Sequence, residues 1–218
     1  MNVEDAVPIS TRRRALLLVG VAVVVVALFA LSSAALLMDD SDENPSSARG
    51  EFRAGERLPE IVLQSASGSV SLPDGLSGRP ALMYFGYTNC PDFCPLTLST
   101  FVEIKRQLGA QGDAVTYAFV SVDGRRDTAE IARDYVHRFD SGFIGLTGPE
   151  DDVRELGQPL GLWFERASSD SELRYTVDHT TSIYLIDADG AAVREYPFDA
   201  PALEIVADLR AELDLPGE

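Results

Sequence analysis

The sequence predicts an α/β sandwich in which helices pack on a central mixed sheet, preceded by an N-terminal transmembrane helix. Three observations carry that expectation. Strand-like apolar runs alternate with segments of helical period through most of the chain beyond residue 57. One run, Ala81 to Phe85 ("ALMYF"), has no polar alternation, as expected of a strand covered on both faces. Ala15 to Met38 is an uninterrupted uncharged stretch, long enough at about 1.5 Å per residue to span a bilayer core of about 30 Å.

Arg12, Arg13 and Arg14 precede that stretch, and Asp39, Asp40, Asp42 and Glu43 follow it. The positive-inside rule then places residues 1–14 in the cytoplasm, 15–38 in the cell membrane as a single pass, and the remainder on the extracytoplasmic (periplasmic or outer) face. A cleaved signal peptide is the rival, because Ser32, Ser33 and Ala34 offer small residues for processing, but the apolar run exceeds a typical signal core. "STRRRALLL" matches a twin-arginine export signal only in part. A lipoprotein anchor needs a cysteine just after the apolar run, and none is there. Residues 39–57 are polar, acidic and aperiodic, the composition of a flexible linker, so the globular domain is expected over 58–218.

Within the domain, "IVLQ" and "SVSLP" flank a turn at Ser67 and Gly68 and read as a hairpin. The apolar strand at 81–85 runs straight into "GYTNCPDFCP", and "PLTLSTFVEIKRQLG" after it has helical spacing and stops at Gly109. "AVTYAFVSVD" reads as a strand, and "DTAEIARDYVHRF" as a helix capped by Asp127 or Thr128. "FIGLTG" reads as a short strand or extended segment and "PEDDVRELG" as a short helix. "SIYLIDADGAAVREYPF" gives two strands around an Asp-Ala-Asp-Gly turn, and "PALEIVADLRAEL" a closing helix with Pro201 near its start.

The formal net charge is -17 and the chain has a single lysine, Lys105, which argues against a phosphate-binding face and so against nucleic acid as a partner. Three arginines and only two acids precede the apolar run, so the acidic excess belongs to the exported side. It reads either as a solvated surface or as a docking face for a basic partner.

The only two cysteines, Cys90 and Cys94, sit at the predicted strand-to-helix junction. A structural disulfide, a catalytic dithiol and part of a metal site are all open. A bridge across three residues restrains little of the unfolded chain, which weakens the first. Unpaired N–H groups and the dipole at a helix N-terminus favour thiolates, which are nucleophiles or metal ligands. Two thiolates on one turn suit a soft ion such as Cu(I). Of the two histidines, His137 lies in a helix with charged neighbours and reads as a surface or half-buried helix residue. His179 stands in "TVDHTTSIYLID", in a loop entering an apolar strand, and is the candidate third ligand.

"GYTNCPDFCPLTL", "VSVDGRRDT", "FIGLTG" and "VDHTTSIYLIDADG" together resemble the Sco/SenC family of copper proteins of cytochrome c oxidase assembly, over about Leu58 to Leu215. The resemblance implies a thioredoxin-like domain on a membrane anchor, binding one copper, Cu(I) or Cu(II), through Cys90, Cys94 and His179. It also implies delivery of copper to the CuA-bearing subunit of cytochrome c oxidase, with another periplasmic copper donor as a further partner. In its alternative form, Cys90 and Cys94 are a redox-active disulfide that reduces the CuA-site thiols, and the protein is then a thiol–disulfide oxidoreductase rather than a chaperone without turnover. Asp178, beside the histidine, is the candidate residue for orienting the imidazole or for capping the loop, and Asp92 is a turn residue or an outer acceptor.

Two absences discriminate. "VDHTTSIYL" lacks the proline that faces the dithiol in thioredoxin-type oxidoreductases, and "YTNC" lacks the Pro-x3-Thr-x2-Cys pattern of peroxiredoxins. Met1, Met38 and Met83 are at the terminus, the membrane edge and the apolar strand, so no thioether ligand is expected.

Overall fold

The computed structural model describes residues 50–76, 78–167 and 175–213. The expected cytoplasmic segment 1–14 and anchor 15–38 lie outside the described residues. Among the described residues no helix is long and apolar enough to cross a membrane.

The domain opens with the expected hairpin, β1 (Ile61–Ser65) against β2 (Gly68–Leu72), antiparallel. Then follow β3 (Ala81–Gly86), α1 (Phe93–Leu108), β4 (Thr116–Ser121), α2 (Ala129–Val136), β5 (Ile144–Leu146) and α3 (Glu150–Gly157). A short ribbon of β6 (Phe164–Arg166) and β7 (Val177–His179) precedes β8 (Ile183–Ile186), β9 (Ala192–Tyr196) and α4 (Ala202–Glu212). The central sheet is mixed, in the order β5-β4-β3-β8-β9, with β3, β4 and β5 parallel and β8 and β9 antiparallel to their neighbours.

Period-two alternation divides the core into two layers. Leu82 and Tyr84 of β3, Tyr117 and Phe119 of β4, and Ile183 and Leu185 of β8 face α1 and α4, meeting Leu98, Phe101, Ile104 and Ile205. Met83 and Phe85 of β3, Val120 beyond Phe119, and Tyr184 and Ile186 of β8 face the other way, toward Leu63 of the hairpin, Val153 and Leu156 of α3, and Phe164 and Val177 of the ribbon. β3 and β4 are buried along their whole length, as a strand without polar alternation requires. α1 stops at Gly109, whose φ of 58° is left-handed and suits a residue without a Cβ. Thr128, not Asp127, caps α2, its hydroxyl accepting from the Ile131 N–H at 3.3 Å.

Two features differ from the sequence reading. The stretch expected to be the end of a flexible linker packs on the domain from residue 50. Phe52 stacks on Tyr184 with ring centroids 6.3 Å apart, Arg53 N–H donates to the Pro159 carbonyl, and Gly55 N–H to that of Ala192. One aromatic side chain with a core groove to fill outweighs the polar composition around it. Second, His179 is not in a loop but is the last residue of β7, opposite Phe164 of β6. Three-residue strands carry too little alternation to be read from sequence.

Candidate metal centre

The strand-to-helix junction after β3 delivers both cysteines. Cys90 lies in the turn before α1, half-buried, and Cys94 lies in the first turn of α1, fully buried against Leu98 and Tyr84. Cys94 fits there because the neighbouring strand ends in glycine: a Cβ on Gly86 would stand 2.8 Å from the Cys94 sulfur and 2.9 Å from the Tyr84 ring. The backbone N–H of Cys94 donates to the Cys90 sulfur at 3.4 Å, so an unpaired donor of the helix N-terminus is aimed at a thiolate.

β7 brings the histidine. Cys90 Sγ, Cys94 Sγ and a ring nitrogen of His179 all lie within 4.8 Å of one another, and Nε2 of His179 is 3.9 Å from Cys94 Sγ. The other nitrogen, Nδ1, is 2.8 Å from the carbonyl oxygen of Thr180. A carbonyl only accepts, so Nδ1 carries the proton and the Nε2 lone pair points at the sulfurs. The rings of Tyr84 and Tyr87 meet the imidazole edge-on, with centroids at 6.1 and 5.9 Å. The Tyr84 hydroxyl also donates to the Cys94 sulfur at 3.5 Å.

This arrangement separates the two thiols. Cys90 is pulled down to about 4, chiefly by the hydrogen bond from Cys94, against the opposing effect of burial and with help from the backbone of Cys94 and Asp92. Cys94 moves the other way, because it keeps the shared proton for Cys90 and sits in the apolar layer. The two sulfurs at neutral pH are therefore one thiolate, at Cys90, and one thiol, at Cys94. This set can accept a soft cation once the Cys94 proton leaves, or attack a disulfide through Cys90.

The sequence-predicted residues divide clearly. Cys90, Cys94 and His179 come together, while His137 is exposed at the C-terminal end of α2 and Met83 is buried in β3. Asp178 was the candidate for orienting the imidazole, and that place is taken by the Thr180 carbonyl. The Asp178 side chain is exposed and lines a cleft of about 370 Å³ at the mouth of the site, with Asp92, Phe93, Trp163 and Thr181. Asp92 occupies the N-cap position of α1 without a capping hydrogen bond from its side chain. Sequence reasoning missed Tyr84, Gly86 and Thr180. Only Gly86, directly after an apolar strand and before the motif, left a signal of close backbone approach.

A family model described as SCO1/SenC matches residues 60–214. The chain belongs to the SCO1/SenC family. An SCO2-like protein of Rickettsia conorii is 33% identical over 154 residues, which cover 70% of this chain and 75% of that one. The SCO2 homologue of human mitochondria is 34% identical over 138 residues, 62% of this chain and 52% of that one. Among solved structures, copper-bound ScoI of Bradyrhizobium japonicum superposes with a TM-score of 0.65 at 32% identity, covering 72% of this chain and 99% of that one. Apo Sco1 of Thermus thermophilus gives the same TM-score and identity, covering 74% and 97%. The SCO1/SenC domain is thus a thioredoxin-like α/β fold whose cysteine turn and histidine strand meet at one edge.

Proposed function

We propose that this protein is a membrane-anchored, extracytoplasmic copper chaperone that binds one copper through Cys90, Cys94 and His179 and delivers it to the CuA-bearing subunit of cytochrome c oxidase. The observation that carries the reading is the convergence of two sulfurs and an imidazole nitrogen within 4.8 Å at the mouth of an open cleft. Two thiolates satisfy Cu(I), and the added imidazole suits Cu(II), so the same set can hold either state. The copper-bound relative from Bradyrhizobium supports the choice of metal. The apolar run at 15–38 supports the anchor, and the family supports the acceptor. Phe93, 43% exposed and paired edge-on with Phe198, and Leu96, 58% exposed one turn along α1, form an apolar rim beside the cleft where the acceptor would seat.

The test is copper loading of the purified protein followed by mixing with an apo CuA domain. Stoichiometric Cu(I) uptake and growth of the CuA spectrum without added reductant support the chaperone. No uptake, or Cu(II) binding unchanged in His179→Ala, rejects it.

A second reading has its own observation, the divergence of the two thiols. The Cys90 thiolate attacks a disulfide of the acceptor to form a mixed disulfide. Cys94 then loses its proton and attacks the Cys90 sulfur, releasing the acceptor as a dithiol and leaving the pair oxidised. Reduction of an oxidised CuA-domain peptide by the copper-free protein, in stoichiometric amount, would favour it.

A further inference from the structure

We infer that the turn between β4 and α2, Asp123 to Asp127, is a positioning clamp that fixes the histidine strand relative to the cysteine turn, with Arg126 and Asp123 acting on His179 through Tyr175. The inference rests on the reading of Cys90, Cys94 and His179 as the copper ligands.

None of the three clamp side chains, Asp123, Arg126 and Asp127, belongs to the Cys90–Cys94–His179 group, yet two of them are buried acids in a protein that keeps most of its acids outside. Asp123 and Asp127 are each 1% exposed. Asp127 works toward the cysteines. Its Oδ2 accepts from the Thr88 N–H at 2.9 Å and from the Ser121 hydroxyl at 2.7 Å, and its Oδ1 from the Thr88 hydroxyl at 2.5 Å. Thr88 stands two residues before Cys90. Asp123 and Arg126 work toward the histidine. The Tyr175 hydroxyl donates to Asp123 Oδ1 at 2.6 Å, and Arg126 Nε donates to Asp123 Oδ2. The Arg126 guanidinium lies 3.6 Å from the centroid of the Tyr175 ring and its Nη1 donates to the Tyr175 carbonyl at 3.0 Å. Tyr175 leads directly into β7 and lies four residues before His179.

The ribbon needs such a tie because, among the described residues, β6 and β7 pair only with each other, in a sheet separate from the central one. Contacts from α3 hold the β6 side, through Arg154 over the Phe164 ring and the pair of Arg166 with Glu150. The clamp holds the β7 side, where the ligand is. Stability alone is a poor reason for it, since a buried ion pair is often replaceable by apolar side chains at no loss. A planar guanidinium held at once by a carboxylate, a ring face and a carbonyl does fix geometry, to a degree that an apolar contact would not. One turn thereby grips both ligand-bearing segments.

The test uses the full chain in detergent, with Arg126→Met, Tyr175→Phe and His179→Ala made singly and each of the first two combined with His179→Ala. Cu(II) affinity and its sulfur-to-copper absorption and paramagnetic spectra are measured beside Cu(I) affinity. Arg126→Met is expected to weaken Cu(II) about tenfold or more and to alter its spectra, with a change in Cu(I) affinity several times smaller, because the thiolates remain. In the His179→Ala background the same substitution should add nothing, since its effect passes through the histidine. An equal loss in that background, or parallel loss of both copper states, shows a general packing role and overturns the clamp. Should Arg126→Met fail to fold, Tyr175→Phe removes a single hydroxyl and carries the same comparison, and unchanged Cu(II) spectra in it overturn the proposal. If His179→Ala itself leaves Cu(II) unchanged, the ligand assignment fails instead, so the two failures are told apart.

Discussion

Cys90 and Cys94 are the same side chain placed four residues apart, and their surroundings pull their protons in opposite directions. With Cys90 held near 4, it stays ionised through the neutral range. Its alkylation rate should change little between pH 6 and pH 8, over which the thiolate fraction of an ordinary cysteine rises about 80-fold; a rise of that size would contradict the assignment. The linkage has a definite sign. A thiol whose folded pKa lies below its unfolded value stabilises the fold above the unfolded value and loses that contribution as pH falls toward 4, so acid weakens this site. Cu(I) uptake near pH 7 should release about one proton, from Cys94, rather than two, as a weakly buffered indicator assay would read. Gly86→Ala tests the fit behind the site. Its methyl would meet the Cys94 sulfur and the Tyr84 ring, costing about 1–3 kcal/mol in a denaturant titration and lowering Cu(I) affinity with it.

At the level of elements, what the sequence announces is what recurs along a strand or helix. β3 is legible because nothing polar interrupts it, and α1 because its apolar residues repeat and Gly109 ends it. Cys90 and Cys94 inherit their place from that junction. The β6–β7 ribbon is not legible, because three-residue strands have almost no period and their partners are distant. His179 is therefore readable as a residue of interest but not as a strand end. Nor could Thr180 be read as its partner, since every residue has a carbonyl. Asp178 carried the chemistry to orient an imidazole, and the fold turned it to solvent. The layer behind α1 can be tested apart from the site. Phe101 is fully buried between Tyr117 and Phe143, and Phe101→Ala should cost about 3–5 kcal/mol in equilibrium unfolding.

Across the whole molecule, the formal net charge is -17. Self-repulsion of a strongly acidic domain is screened by salt, so its melting temperature should rise between about 10 mM and 0.5 M sodium chloride; a flat response would place the acids in satisfied pairs instead. The apolar rim answers to a different experiment. Phe93→Glu is expected to slow copper transfer to an apo CuA domain about tenfold or more, while equilibrium Cu(I) affinity of the purified protein stays within about twofold. Equal transfer rates would remove the rim from the docking surface.

On the proposed function, the unequal depth of the two sulfurs would also order the steps of transfer. Cys94 is buried in the first turn of α1, while Cys90 and His179 border the cleft, so an incoming ligand would meet those two before Cys94. Departure of cargo would finish at Cys94, the one ligand that does not line the cleft, and a partner disulfide would be attacked at the outer sulfur of Cys90. Removing Cys90 should thus silence the proposed delivery and exchange routes alike. Cys94→Ser separates them: it leaves an outer thiolate with no inner sulfur to resolve it, so only the exchange route accumulates a covalent adduct with the partner.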